Sequence, residues 1–270
     1  MKSVKQNGSQ RSEGSSSQTR NTTADRAIDI LLLFTEQQPV LTAIEVAEQS
    51  GMSPSTTYRY LSSLRSYGLI EEGDTTGEFR LGPTILQLAR IASKGLGLSE
   101  IALPVMRELV AQTGESALLT RCSGRHVVCI ERVESSHSVR LSYERGHVLP
   151  LHADAAAKVL LAYLKPAEID AALNVEPLPR YNDHTVTDPA ILRAQLQNIR
   201  AAGYSVTDGE VDVGVRGIAA PILGSNGQPI AGVSVAGPEF RLNDTVLPGV
   251  IAAVCRAAQE ISQRLHDLES

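Results

Sequence analysis

At 270 residues the chain is long for one domain and ample for two, taking roughly 150 residues per domain. Its 42% apolar and 20% charged residues exclude a disordered chain, a collagen-like repeat and a disulfide scaffold, and no apolar run reaches the roughly 18–20 residues of a membrane span. The net charge of −5 is a poor footprint for nucleic acid, yet Gly51–Ile70 holds Arg59 and Arg65 and no acid at all.

Residues 1–21 are rich in Ser, Gln and Gly, with four bases against Glu13, and are expected to form a disordered tail. They lack the apolar stretch of a secretory signal. With that, three cysteines (Cys122, Cys129, Cys255) and no C-x-x-C pair suggest a reducing cytoplasm.

A winged helix-turn-helix is expected over 22–82. Thr22 or Thr23 caps a first helix carrying Ala27, Ile30, Leu31 and Phe34, which must end before Pro39. Thr42 and Glu45 read as a capping box, with Leu41 and Val46 as its hydrophobic staple, and Gly51 stops this second helix. Ser53-Pro54 starts a third, Ser as N-cap and Pro at the first helical position, running to Tyr67-Gly68. Leu69-Ile70 and Glu78–Leu81 then flank the turn-rich Gly73–Gly77, giving the wing. A helix from Pro83 carries Ile85, Leu88, Ala89 and Ala92 to Lys94-Gly95-Leu96-Gly97, so 83–97 reads as linker helix and hinge.

The third helix has two faces. Thr57, Tyr60, Leu61 and Leu64 share the one that packs inward. Opposite lie Ser55, Arg59, Ser62 and Ser66, with Tyr58 beside them, a Ser/Arg face suited to phosphates and base edges. Arg59 and Arg80 are the expected charged contacts to duplex DNA, with Ser55, Thr56 and Tyr58 nearer the groove. Thr42, Ser53 and Arg65 complete the candidate set.

The second domain, 98–270, reads as α+β. A helix from about Ser99 stops at Gly114. Strands follow at Ser116–Thr120, His126–Val133 and Val139–Tyr143, then helices at Ala155–Leu164, Ala167–Leu173 and Pro189–Ala202. Strands Ile218–Leu223 and Ile230–Ala236 flank Asn226-Gly227, a strong hairpin signal, and a long amphipathic helix closes the chain. Helices are expected at the ends and on one face of an antiparallel sheet.

The stretch Gly51-Met52-Ser53-Pro54-Ser55-Thr56-Thr57-Tyr58-Arg59-Tyr60-Leu61, with Gly68-Leu69-Ile70 and Phe79-Arg80-Leu81-Gly82, resembles the DNA-binding domain of the IclR family of bacterial transcription regulators. Gly146–His152 with Ala157–Ala162, Gly214–Pro221 and Val233–Pro238 resemble that family's second domain, in the same order. The resemblance implies a GAF-like effector domain, binding to an operator as a homodimer or dimer of dimers, and control of a catabolic operon. It also implies that Leu149, Ala155, Ala156, Gly217, Ser234 and Ala236 surround a small organic effector, with Asp208 or Glu210 near the mouth. The composition of that site suits a carboxylate bearing an apolar or ring portion. Asp154 departs from the family's small residues. As N-cap it would compete with an anionic ligand for the helix N–H groups, or else it contacts a hydroxyl or amine on the ligand.

The sequence offers two other readings. Gly232-Val233-Ser234-Val235-Ala236 nearly spells a hydrolase elbow, but its last glycine is alanine and it lies within a β-branched run rather than at a strand-to-helix turn. Six histidines show no metal-ligand spacing, so neither metal nor cofactor is expected. His152 beside Asp154 suggests an acid/base pair, which turn chemistry before a helix explains as well. The other reading is a DNA-binding module whose second domain only oligomerises.

Overall fold

The computed structural model describes residues 23–35, 37–73, 75–94, 97–123, 126–137, 143–174 and 177–269. The expected tail and most of the expected strand at 139–143 lie outside these. The chain divides into two compact units, Met1–Ala92 and Ser93–Ser270, the division falling near the end of the expected linker helix.

In the first unit, α1 (Thr23–Leu31), α2 (Ala43–Ser50) and α3 (Pro54–Ser66) enclose Ile30, Val46, Tyr60, Leu61 and Leu64. Both sequence caps form. The Thr42 hydroxyl accepts from Glu45 N–H at 3.3 Å, and the Glu45 carboxylate accepts from Thr42 N–H at 2.7 Å. Those bonds hold the half-buried Glu45 carboxyl below its ordinary range. Leu41 and Val46, the staple pair, are both fully buried.

The wing has three strands rather than two. β1 (Val40–Thr42), unread in the sequence, pairs with β3 (Glu78–Leu81), and β3 pairs with β2 (Ile70–Glu72), all antiparallel. Phe79 of β3 and Ile70 of β2 reach down into the helical core. α4 (Pro83–Lys94) follows at once. The junction is tight: Gly82 N–H donates to Leu69 O at 2.8 Å, and Thr84 N–H to Gly68 O at 3.1 Å.

The second unit is a six-stranded antiparallel sheet. Its strands are β4 (Ser116–Ser123), β5 (His126–Val133), β6 (Val148–Leu149), β7 (Ser205–Asp208), β8 (Val215–Leu223) and β9 (Pro229–Pro238), in spatial order β6-β5-β4-β9-β8-β7. The hairpin at Asn226-Gly227 is present, closing over 224–228 with Gly227 at φ +70°. One expectation is corrected here: helices cover both faces of the sheet. α5 (Gly97–Thr113) and α9 (Leu247–Glu269) enclose Leu119, Ile218, Val233 and Val235 on one side. α6 (Ala155–Leu161), with α7 (Pro166–Leu173) and α8 (Pro189–Ala202) around it, covers Leu118, Val127 and Ala219 on the other. Neighbouring residues of β8 and β9 are therefore buried on opposite faces, as a sheet sandwiched between helices requires.

Candidate functional site

The first candidate surface is the outer face of α3. Ser55, Tyr58, Arg59, Ser62 and Ser66 are all exposed, while Thr57, Tyr60, Leu61 and Leu64 are buried. Ser53 caps the helix: its hydroxyl accepts from Thr56 N–H at 3.4 Å and donates to the Thr56 hydroxyl at 2.9 Å. The Arg59 guanidinium lies 5.8 Å from the centre of the Tyr60 ring. No acid interrupts this face.

The other two arginines differ from Arg59. Arg80 pairs with Glu71 across the wing ladder at 2.8 Å, and Arg65 at the end of α3 pairs with Glu72. Both pairs are largely solvated, so they are cheap to break, but each arginine begins with a partner. Thr42 is likewise committed to its capping box. Sequence reasoning missed Arg26. That exposed base on α1, with Asp29, lines a polar cleft of about 540 Å³ beside Gln49, Ser53 and Thr56 at the start of α3. The available signal was a lone base on the polar face of the first helix.

The second candidate site lies where α6 crosses the sheet. Glycine lets the helix approach: a Cβ at Gly217 would sit 3.1 Å from Thr207 Oγ1 and 3.2 Å from Ala155 Cβ. At Gly232 it would sit 3.1 Å from Thr120 Oγ1. Strand alternation puts Ser205, Thr207, Gly217, Ser234 and Ala236 on this face. Ser205 is opposite Ala219 and Ala219 is opposite Ser234; Gly217 is opposite Ala236. Leu149, Ala155 and Ala156 belong to the same apolar cluster. The hydroxyls of Ser205 and Ser234 are buried without a hydrogen-bond partner among the described residues. Orphans of this kind cost free energy and are rare. Ser234 sits in mid-strand between Ala219 and Leu118, not on a strand-to-helix turn.

Polar groups gather at the N-terminal end of α6. Asp154 caps the helix, its Oδ1 accepting from Ala156 N–H at 2.7 Å and Ala157 N–H at 3.3 Å. Those N–H groups are thus already occupied, and an anionic ligand would have to compete with the Asp154 carboxylate for them. Burial pushes the Asp154 carboxyl up to about 6 against the pull of its two N–H donors. One turn on, Lys158 is 2% exposed and donates to both Glu210 oxygens, at 2.7 and 2.6 Å, and to Gln195 Oε1 at 2.9 Å. Burial draws the Lys158 ammonium down, and Glu210 works the other way. The segment carrying Glu210 is clamped too. Asn182 Nδ2 donates to Gly209 O and Val211 O at 2.8 and 3.0 Å, and Thr185 Oγ1 to Glu210 O at 2.7 Å.

Asp208 requires correction. Its neighbour Thr207 faces α6, so Asp208 faces away, where it is exposed and pairs with Arg216, which also bonds Leu242 O at 2.9 Å and Asp244 at 2.7 Å. It does not join the mouth of the site; Glu210, on the same segment, is held against Lys158. His152 takes a positional part: its Nε2 meets Pro179 O at 2.8 Å and its ring stacks on Tyr181, not on Asp154. Lys158 was missed. Its signal was a single lysine in a helix otherwise apolar on every side.

Comparison with known proteins agrees with both units. Residues 23–74 match the IclR helix-turn-helix domain, and residues 91–263 match the C-terminal domain of bacterial IclR transcriptional regulators. The regulator BhcR of Paracoccus denitrificans is 37% identical over 88% of this chain and 85% of its own length. The transcriptional repressor IclR of Escherichia coli is 29% identical over 88% and 87%. Among solved structures, an IclR-type regulator from Silicibacter superposes with a TM-score of 0.83 at 28% identity, covering 90% of this chain and 96% of that one. An IclR homolog from Microbacterium hydrocarbonoxydans, crystallised with 4-hydroxybenzoate, gives 0.73 at 30% identity, covering 90% and 98%. The chain belongs to the IclR family of bacterial transcriptional regulators.

Proposed function

We propose that the exposed face of α3 enters the major groove of an operator, and that a small organic ligand on the sheet face beneath α6 modulates that binding. The acid-free face of Ser55, Tyr58, Arg59, Ser62 and Ser66 carries the first half of the reading. Arg59 is its principal phosphate or base contact, with Ser53, Ser55, Thr56 and Tyr58 around it. Arg65 and Arg80 join by exchanging their wing carboxylates for phosphates, and Thr42 holds α2 in place. Two-fold dimers suit such a helix, because they set two recognition helices one helical turn apart on a pseudo-palindrome. Ile28 and Leu32 near α1, and Leu86, Leu88 and Ile91 on α4, are exposed apolar residues, surface of the kind a second copy covers. Among the described residues no helix is long and apolar enough to cross a membrane. A DNA partner places the protein in the cytoplasm.

Arg59→Ala is expected to weaken operator binding by about ten- to a hundredfold, the range for a lost hydrogen bond to a charged group. The slope of affinity against salt should fall by about one, with thermal unfolding nearly unchanged. Electrophoretic mobility shifts over a salt series check this; wild-type affinity in the variant would overturn the orientation of α3.

For the ligand, the unpartnered hydroxyls of Ser205 and Ser234 are the observation that counts. A bound molecule supplying hydrogen bonds there relieves a standing cost; its apolar part would lie against the small side chains of Ala155, Ala156 and Ala236 and the bare Gly217, with α6 lifting from the sheet to admit it. Small carboxylates with a ring or a short apolar chain are the first candidates, with 4-hydroxybenzoate as the opening probe. At about 100 times its dissociation constant a ligand stabilises by roughly 2.7 kcal/mol, which a thermal-shift screen detects. Because Asp154 caps α6, Asp154→Ser should leave the fold stable and keep or tighten acid binding. Loss of the thermal shift in that variant would mean that Asp154 touches the ligand directly.

A further inference from the structure

A second cavity, separate from the sheet face, opens between α7 and α8. Its volume is about 250 Å³, and Ala162, Leu164, Pro166, Ile169 and Leu196 form its apolar walls. The groove is open to solvent, with Pro166, Asp170, Gln197 and Arg200 exposed along it and Ala162 and Leu196 buried at its floor. Its rim is cationic. α8 presents Arg193, Leu196, Gln197 and Arg200 at spacings of three and four residues, one side of a helix turned toward the hollow.

The two arginines stand differently. Arg193 is spent: its Nε and Nη2 both donate to Asp170 Oδ1, at 3.1 and 2.8 Å. Arg200 lies over an aromatic ring, its guanidinium 5.3 Å from the centre of Tyr163, and among the described residues it makes a 3.4 Å hydrogen bond to Ala162 O. No carboxylate lies within salt-bridge distance of it among the described residues. A planar guanidinium beside an aromatic ring at the lip of an apolar groove is suited to bidentate capture of a carboxylate.

We propose that this α7–α8 cavity is a second small-molecule site, taking a single-ring aryl carboxylate with its ring among Leu164, Ile169 and Leu196 and its carboxylate on Arg200. The volume lies just below the roughly 300 Å³ at which drug-sized pockets begin, which limits the occupant to one ring. Two guanidiniums against the single Asp170 leave the rim net positive, so an anion is favoured over a neutral or cationic ring. The site stands apart from the one beneath α6: Ala162 ends that helix and Asp154 begins it, about 12 Å apart for eight steps at 1.5 Å each. A ligand at one end can therefore be felt at the other through one buried helix. The assignment does not depend on what binds at the sheet face.

The test uses the full chain and benzoate. Calorimetry is expected to show saturable binding, and isoleucine-methyl NMR should show the Ile169 signal moving with the same dissociation constant. In Arg200→Gln, benzoate affinity should fall at least tenfold, while the weaker binding of neutral benzyl alcohol stays as it was. Ile169→Trp, which fills the hollow, should remove both. Three results would each overturn the proposal: no saturable binding of benzoate, equal affinity in native protein and Arg200→Gln, or methyl shifts confined to the residues beneath α6. The Arg200 change lies on the exposed side of α8, so it remains informative even if the tryptophan variant folds poorly.

Discussion

Lys158→Ala is expected to destabilise the C-terminal unit by about 3–5 kcal/mol, the cost of stranding one member of a buried ion pair. Glu210 is the member left behind. It is nearly as buried as Lys158, and the Asn182 and Thr185 clamp keeps its segment from swinging out to water. Removing both charges is another matter. Lys158→Met with Glu210→Leu replaces the pair by apolar groups of similar size, and such exchanges are often neutral or stabilising. Urea unfolding of the single and double variants separates the two outcomes. A loss below about 1 kcal/mol in the single variant would show that water reaches the pair.

A pH dependence accompanies the single variant. Burial raises the Glu210 carboxyl above its ordinary value, and without Lys158 nothing opposes that. The folded form then binds a proton that the unfolded form releases. Stability therefore rises as pH falls from the folded pKa toward the ordinary glutamate range, and the penalty shrinks in acid. Lys158→Ala should thus be relatively less damaged at pH 5 than at pH 7.5, and the double variant should lose the part due to Glu210 while keeping that of the buried Asp154.

Gly82→Ala is the counterpart in the N-terminal unit. A Cβ at that position would overlap the Gly68 carbonyl oxygen and lie 3.0 Å from the Gly68 carbonyl carbon and 3.1 Å from that of Ile70. All of these are backbone atoms, so relief requires the wing or the start of α4 to move. A cost of about 1–3 kcal/mol is expected from overpacking alone, with operator affinity falling because the wing shifts against α3. Gly51→Ala provides the contrast. It sits at φ +65° with nothing within 4 Å of the added carbon, so it carries backbone strain without collision. Hydrogen exchange should show β2 and β3 opening more readily in Gly82→Ala and the α2–α3 turn doing so in Gly51→Ala. Native protection of the wing in Gly82→Ala would mean that the junction yields at no cost.

What could be read in advance divides by how local its cause is. Thr42 with Glu45, and Ser53 with Pro54, act within one turn of helix, and both caps are found where the sequence put them. The burial of Thr57, Tyr60, Leu61 and Leu64 follows from helical period alone. β1, β6 and β7 were not legible, since segments of two to four residues become strands only through partners such as Arg80, Val127 and Ile218. The same gap misplaced Asp208: its face is set by the phase of β7, which is fixed only by pairing with β8. The helix layer on the second face was also hidden, because Gly217, Ala219 and Gly232 read as ordinary strand residues although they are the space α6 occupies. The ion pairs of Arg65 and Arg80 depend on Glu72 and Glu71, which reach them only once the wing has folded back.

The sheet of the second unit is closed through its middle, and that fixes an order of events as the chain leaves the ribosome. β4 cannot complete its pairing until β9 exists, and the Thr120 hydroxyl that donates to Gly232 O spans 112 residues. The first compact unit ends at about Ala92. At roughly 5–20 residues per second, the remaining stretch to Gly232 takes on the order of ten seconds, during which the winged unit is free to fold while half a sheet waits with open edges. A chain halted anywhere in that interval carries a complete recognition helix and an unfinished sheet. Nonsense mutations across more than a third of the gene would therefore leave fragments able to compete for DNA yet deaf to any effector, a dominant rather than a null phenotype.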